Sequence, residues 1–205
     1  MFKLLKQSAV IRESLIKVIN KSGKTKKEIA KQVNVSQQSL SDWTTPHNTK
    51  PVTLENAQAL TDHFRDSDFT LHVIHKFFGL FKSIDGDVYR RDPSSLDKLQ
   101  MIESDERKQK KQEVEKILLK NEDYLTAEDR QQIISYAYEF LDEIMIEVTL
   151  ISVLCEILGI DIRQLSEQRL TYWISQGYGR VRVHSKILGK TTYWTFARSI
   201  GSVDS

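Results

Sequence analysis

Five polar side chains lie close together over positions 37–42, within the run SQQSLSDW that begins at Ser36. A glutamine amide can donate to N7 and accept from the N6 amino group of adenine in the major groove of DNA. Serine hydroxyls can serve base edges or phosphates, and an aspartate either accepts from a cytosine amino group or points away from the DNA. This chemistry is that of base recognition, and the residues predicted to contact bases are Gln37, Gln38, Ser39, Ser41 and Asp42.

Basic and hydroxyl side chains lie on both sides of this stretch. Three lysines stand just before and within the start of a predicted helix, between positions 24 and 27. Cations and hydroxyls placed in this way bind phosphates and position a protein on DNA without reading its sequence. The residues predicted to contact the DNA backbone are Lys24, Thr25, Lys26, Lys27, Ser36, Thr49 and Lys50.

The apolar residues around these side chains have the spacing of short helices. Apolar side chains recur every three or four positions over 8–21, which predicts a first helix that ends at Ser22-Gly23. The third helix is predicted over about 37–44, where it buries Leu40 and Trp43. The second, third and fourth helices each follow a residue whose hydroxyl can accept from the unpaired N–H groups of the first turn. These residues are Thr25, Ser36 and Thr53.

Only three residues separate the second helix from the third. Asn34 can adopt the left-handed conformation that ends a helix, and Val35 can fill the space under the turn. Two short helices with this connection have the layout of a helix-turn-helix.

The run KTKKEIAKQVNVSQQSLSDW, followed by TTPHNTKPVTL, resembles the phage repressor and Cro type of helix-turn-helix, the XRE family of transcriptional regulators. The resemblance covers roughly residues 10–64. It implies a repressor-like DNA-binding protein of phage or prophage origin, with base contacts from Gln37 and Gln38 and support from Ser39.

The chain departs from that family's pattern at three positions. Lys26 stands where the family commonly has glutamine, Asn34 replaces the usual turn glycine, and Asp42 replaces another frequent polar contact. The operator sequence therefore cannot be copied from relatives.

Charge is divided unevenly along the chain. Residues 1–65 hold eleven Lys and Arg against five Asp and Glu, whereas residues 122–167 hold two against eleven. A basic first third suggests that only this part faces a polyanion.

The single cysteine excludes an internal disulfide framework, and no apolar run reaches the ~20 residues of a membrane span. We expect a cytoplasmic protein of a bacterial or phage-infected cell.

A long amphipathic helix is predicted over 127–158, after the N-cap residue Thr126 and before Gly159. Its apolar stripe is too wide for one partner helix to cover, which points to a helical bundle or a subunit interface. Because a single recognition helix reads only a few base pairs, we expect a homodimer that pairs through this helix and spans two half-sites of an operator. The stripe consists of Ile133, Ala137, Phe140, Ile144, Val148, Ile151, Cys155 and Leu158, and a second apolar set, Ile134, Leu141, Met145 and Leu154, widens it.

These patterns together predict a mainly α fold in four parts. Residues 1–66 form a helix-turn-helix domain of four or five helices, and residues 67–121 form a helix, a loop and a charged connector. Residues 122–178 form a helical dimerisation or regulatory region, and residues 179–205 form a basic, aromatic tail with a β-hairpin. The tail could touch nucleic acid or the acidic helix through Arg180, Arg182, Lys186, Lys190, Tyr193 and Trp194.

Two other functions compete with this interpretation. The helix-turn-helix could serve protein–protein contacts, as in an antirepressor or an antitoxin. An acidic row of Glu139, Asp142, Glu143 and Glu147 could bind Mg²⁺, and it faintly resembles the all-α nucleotide pyrophosphohydrolases. That family needs a second acidic helix with its own spaced glutamates, and none is evident from the sequence. The five histidines show no zinc-ligand spacing, so we expect no enzyme, no metal and no cofactor.

Overall fold

Helices make up most of the chain in the computed structural model, which describes residues 6–47, 49–178, 180–182 and 193–195. These residues form eight α-helices and two pairs of short strands, which confirms the prediction of a mainly α fold. No helix of the described residues is long and apolar enough to cross a membrane. In chain order the elements are β1 (Ser8–Ala9), α1 (Arg12–Ser22), α2 (Lys26–Gln32), α3 (Gln37–Thr44), β2 (Val52–Thr53), α4 (Leu54–Phe64), α5 (Ser67–Phe78), α6 (Pro93–Val114), α7 (Ala127–Leu158), α8 (Ile162–Ser175), β3 (Arg180–Arg182) and β4 (Tyr193–Thr195).

The chain divides into two compact units, Met1–Asp161 and Ile162–Ser205. The boundary falls inside the region that the sequence groups as 122–178. The second unit contains α8 and the antiparallel pair of β3 and β4, in which Val181 lies opposite Trp194. The predicted hairpin is therefore present as two paired strands. Lys186 and Lys190 of the predicted basic tail lie outside the described residues.

Residues 6–79, here called the head, pack α1 to α5 around one apolar core. Leu15, Ile29 and Leu40 come from three different helices, and each is fully buried. Burial of a side chain of this size stabilises the fold by about 1.5–3 kcal/mol. The core also contains Ala9, Ile11, Val18, Ile19, Ala30, Val33, Trp43, Val52, Ala57, Leu60, Phe69, Val73 and Phe77.

The first helix begins later than the sequence predicts. Ser8–Ala9 pair antiparallel with Val52–Thr53, and α1 starts only at Arg12. Ile11 leads into the helix with a non-helical backbone and a buried side chain. The prediction of a helix over 8–21 is wrong for its first turn, because the backbone hydrogen bonds of that turn go to a distant segment of the head.

Two helices outside the head, α6 and α7, run antiparallel and pack along their length. Residues 93–158 are here called the helical hairpin. Leu96 and Val114 are buried near the two ends of α6, and between them Arg107 forms an ion pair with Glu143. The sequence predicts a charged, solvated helix over 97–121 that connects the two halves of the chain. The structure has a helix over Pro93–Val114, and this helix packs lengthwise on α7.

A polar cluster joins the head to the helical hairpin. The guanidinium of Arg91 donates to the two carboxylate oxygens of Asp68 at 2.7 and 2.6 Å, and Ser152 of α7 donates to the same carboxylate at 2.7 Å. The backbone N–H of Ile84 donates to Thr149 Oγ1 at 2.8 Å. Burial alone would raise the pKa of Asp68, but the hydrogen bonds from Arg91 and Ser152 outweigh it, so this pKa is lowered. These contacts fix the loop over 80–92 between α5 and α7.

Large apolar side chains remain exposed along α7. Leu141 is 48% exposed and Tyr138 is 57% exposed, whereas Cys155 of the predicted stripe is fully buried. One helix and the head thus cover only part of the wide stripe. The exposed residues, here called the α7 seam, are Ile134, Tyr138, Phe140, Leu141, Ile151, Leu154, Ile157 and Leu158.

A capping box begins α7 at the predicted N-cap residue. Thr126 Oγ1 accepts from the backbone N–H of Asp129 at 3.1 Å, and the Thr126 N–H donates to Asp129 Oδ2 at 2.9 Å. The ammonium of Lys120 lies 2.9 and 2.8 Å from the two oxygens of Asp129. The hydrogen bond from Lys120, followed by that from the Thr126 backbone, lowers the pKa of Asp129 to about 2.

This shift predicts a pH dependence of stability that Asp129 carries. Because the pKa is lower in the folded chain than its ordinary 3.8, the stabilisation is present above about pH 4 and is lost as the pH falls towards 2. Urea unfolding between pH 5 and pH 2 should show this fall, and Asp129→Asn should make it shallower. The exposed carboxylate of Asp123 serves as a control. An Asp129→Asn curve as steep as that of Asp123→Asn would contradict the assignment.

Candidate nucleic-acid interface

The turn between α2 and α3 has the conformation that the sequence predicts. Asn34 takes a left-handed backbone with φ of 57°, which asparagine adopts more readily than most residues. The N–H of Val35 then donates to the carbonyl of Ala30 at 2.9 Å, and Val35 packs against the core of the head. Ser36 caps α3 by accepting from the Ser39 N–H at 2.9 Å. This turn fixes the angle at which α3 leaves α2.

One face of α3 is buried and the opposite face meets solvent. Leu40 is 0% exposed and Trp43 is 6% exposed, as the sequence predicts. Gln37 and Gln38 are exposed, and the amide of Gln37 makes no hydrogen bond within the described part of the chain. Both amides therefore lie on the accessible side of the first turn of α3, next to its N-terminus.

The two serines of α3 differ in their surroundings. The Ser39 hydroxyl lies 2.8 Å from the hydroxyl of Ser36, so it takes part in the cap. The carbonyl of Ser41 accepts from the hydroxyls of Thr44 and Thr45, at 3.1 and 2.9 Å. Both serine side chains are half-buried. The Ser39 hydroxyl therefore has a partner in the cap, whereas Ser41 makes these contacts through its backbone carbonyl.

Asp42 lies between a glutamine and a lysine. Gln38 Nε2 donates to Asp42 Oδ1 at 2.8 Å, and the Lys50 ammonium lies 2.6 Å from Asp42 Oδ2. The hydrogen bond from Lys50, and then that from Gln38, lowers the pKa of Asp42. The structure thus brings together three residues that the sequence assigned separately to base and backbone contacts.

The predicted backbone-contacting lysines are near one another on α2 and just before it, but two of them have partners within the head. Lys24 Nζ donates to Gln32 Oε1 at 3.1 Å, and Lys26 Nζ donates to the hydroxyl of Thr44 at 2.6 Å. Lys27 is exposed and makes no hydrogen bond or ion pair with any described residue. The contact from Lys26 ties the start of α2 to the end of α3.

The predicted hydroxyl contacts also have structural roles. Thr25 forms a capping box with Glu28, in which the Glu28 N–H donates to Thr25 Oγ1 at 3.3 Å and the Thr25 N–H donates to Glu28 Oε2 at 2.8 Å. Hydrogen bonds from the Thr25 side chain, then from its backbone, lower the pKa of Glu28. Thr49 donates to the carbonyl of Thr45 in the loop after α3. These hydroxyls hold the ends of the helices that carry the glutamines.

The acidic row of α7 is used mainly for helix packing. Glu143 accepts from Arg107 and from Gln100, and Glu147 accepts from Gln100 at 3.3 Å. Glu139 instead lies beside Glu103 and Glu106 of α6, with carboxylate oxygens within 4.8 Å of one another. These three carboxylates are the group that could hold a cation among the described residues. Burial, and then the neighbouring Glu106, raises the pKa of Glu103.

Sequence reasoning missed the contacts that Asp42 makes. Gln38 and Asp42 are four residues apart on a helix, a spacing at which Gln and Asp side chains commonly hydrogen bond. This contact could therefore have been predicted from the sequence. The contacts of Lys50 with Asp42 and of Lys26 with Thr44 join different segments, and no spacing rule indicates them.

Comparisons of the chain with protein-family models, with curated proteins and with solved structures gave no match.

The cap of α3 gives a direct test of how its first turn is held. Ser36→Ala removes the acceptor for the Ser39 N–H and should lower the free energy of unfolding by about 1 kcal/mol. Ser36→Gly should cost only a few tenths of a kcal/mol, because glycine leaves that N–H open to water. Urea unfolding of the three proteins measures both effects. Equal stabilities for the alanine variant and the original protein would contradict the cap.

Proposed function

We propose that this chain is a sequence-specific, double-stranded DNA-binding transcription regulator of the repressor type, related to the XRE family and acting as a homodimer in the cytoplasm. The observation that carries the proposal is the pair of exposed amides, Gln37 and Gln38, on the first turn of a helix whose other face is fully buried. Amides in that position match the hydrogen-bonding pattern of adenine in the major groove.

In the proposed complex, α3 enters the major groove with its N-terminal turn towards the bases. Gln37 and Gln38 face base edges, while Lys27 and Lys24 face phosphates on the side of α2. The +6 charge of residues 1–65 adds a sequence-independent attraction for DNA. Binding should therefore weaken as salt concentration rises, while the preference for one sequence depends on the glutamines.

The α7 seam is the proposed contact between two copies. The seam lies along a seven-residue apolar repeat of α7, in which Ile134, Leu141 and Val148 recur every seven positions, as do Ala137, Ile144 and Ile151. Of these six residues, Ile134, Leu141 and Ile151 belong to the seam, and such a repeat is the pattern by which two helices pair. The eight seam residues are each between 36% and 66% exposed, so pairing along α7 would remove apolar surface from water over much of the helix.

A dimer also suits the way in which the head is attached. The Asp68, Arg91 and Ser152 cluster holds the head on α7 within one copy. Pairing through α7 would thus set the separation of the two α3 helices. Two half-sites of an operator are read when this separation is roughly 34–36 Å, one turn of DNA.

The pair of glutamines allows a direct test of base reading. Full-length protein should enrich a palindromic sequence from a random duplex pool, and changing both Gln37 and Gln38 to Ala should remove that enrichment. On the selected site each single substitution should cost about 1–3 kcal/mol, with little change on random DNA, because only base contacts are lost.

A matched control is available on α6. Gln109 and Gln112 are also exposed glutamines, and changing both to Ala should leave the selected sequence unaltered. If the protein enriches no sequence at low salt, the helix-turn-helix serves protein–protein contacts instead. Equal losses on the selected site and on random DNA would mean that the glutamine pair does not read bases.

The α7 seam allows a test of the proposed dimer. Changing both Ile134 and Leu141 to Lys places two charges in the proposed contact, and should weaken self-association at least tenfold because those charges would be buried without partners. Sedimentation of the full chain across a range of concentrations measures this. Val88→Lys is the control, since Val88 is 86% exposed and lies off the seam. A double variant as dimeric as the control, or an original chain that stays monomeric, would exclude this interface.

A further inference from the structure

Asp42 is the one carboxylate on the face of α3 that carries the glutamines, and each of its oxygens has its own donor. Oδ1 accepts from Gln38 Nε2 at 2.8 Å, and Oδ2 accepts from the Lys50 ammonium at 2.6 Å. A carboxylate would repel DNA phosphates if it faced them alone. In this structure both of its oxygens are instead occupied by donors from the same chain.

The loop after α3 is folded so that Lys50 reaches this carboxylate. The Lys50 N–H donates to the backbone carbonyl of Asp42 at 3.2 Å. The hydroxyl of Thr45 donates to the carbonyl of Ser41 at 2.9 Å, and that of Thr49 donates to the carbonyl of Thr45. The backbone therefore holds Lys50 beside the last turns of α3, and its ion pair with Asp42 does not depend on the side chain alone.

An ionised carboxylate only accepts hydrogen bonds. The amide of Gln38 must consequently turn its nitrogen, not its oxygen, towards Asp42. This leaves Oε1 and one N–H of Gln38 for a base. Adenine offers a donor at N6 and an acceptor at N7, which this remaining pair matches. Guanine offers two acceptors, O6 and N7, and two N–H groups of the same amide would be needed to satisfy both.

We propose that Asp42 is a positioning residue that fixes the orientation of the Gln38 amide, so that the chain accepts adenine and rejects guanine at the base pair that Gln38 reads. The inference rests on the proposed DNA-binding function and adds to it the source of discrimination at one position. Asp42 does this without a base contact of its own, and Lys50 keeps the carboxylate in place.

The substitution Asp42→Asn reverses the constraint. Lys50 is a donor only, so it attracts the amide oxygen of the new side chain. The amide nitrogen of that side chain would then face Gln38 and turn the Gln38 amide around, which leaves both N–H groups of Gln38 directed outwards. Such an amide suits guanine rather than adenine.

The test begins with the sequence selected by the full-length protein, in which the base pair read by Gln38 is the one whose preference Gln38→Ala abolishes. Binding is then measured to two duplexes that carry adenine or guanine at that base. The original protein should prefer adenine by roughly 5- to 150-fold. Asp42→Asn should bring the ratio to about one or favour guanine, and Asp42→Ala should bring it to about one.

Two further proteins separate the proposed role from general effects. Glu55→Gln removes the same charge from an exposed position on α4, and it should keep the adenine preference while changing affinity for both duplexes alike. In a Gln38→Ala background, Asp42→Asn should have no further effect on the ratio, because its influence acts through Gln38. Circular dichroism and urea unfolding of each variant check that its overall helix content and stability match those of the original protein.

The outcomes distinguish this inference from the function on which it rests. An original protein that selects no sequence overturns both. A selected sequence whose Gln38-dependent base is not adenine overturns the role of Asp42 alone. So does an Asp42→Asn protein that keeps the original adenine preference, or one that changes the ratio equally with and without Gln38.

Discussion

The burial of Leu40 and Trp43 is the constraint on which the candidate interface depends. The helix α3 has eight residues, and isolated helices of that length are only marginally stable in water. Contacts with the rest of the head must therefore stabilise α3 and set its orientation. Once these two side chains enter the core of the head, the first turn of α3 can only face outwards. The exposure of Gln37 and Gln38 is thus a consequence of apolar packing on the other side of the helix.

Side-chain hydrogen bonds then hold both ends of this short helix. Ser36 satisfies a first-turn N–H, while Thr44 and Thr45 donate to carbonyls near the end of α3. Lys26 links that end to α2. Several residues of a type that can bind phosphates are therefore structural in this chain, and their contacts hold the glutamine face in place. In the proposed complex this matters because hydrogen bonds to base edges tolerate little displacement.

Polar contacts join the head to the helical hairpin. Asp68 is half-buried and accepts from both Arg91 and Ser152, and loss of one partner would leave a desolvated charge without compensation. Lys21 adds a second link, at 2.7 Å to Glu156 of α7 and 2.8 Å to Asp66 of the head. Directional contacts of this kind specify one arrangement of α5 and α7, whereas an apolar surface permits several.

Local chemistry in the sequence determined the helices, their caps and the turn at Asn34, because each follows from interactions among residues that are near one another in the chain. Apolar spacing likewise predicted that Leu40 and Trp43 are buried and that α7 has more apolar surface than one helix covers. Tertiary structure alone decided that Ser8–Ala9 form a strand, that α6 lies along α7, and that Lys50 reaches Asp42. Each of these depends on a contact between different segments of the chain. The spacing of residues within one segment does not predict which other segment it will contact.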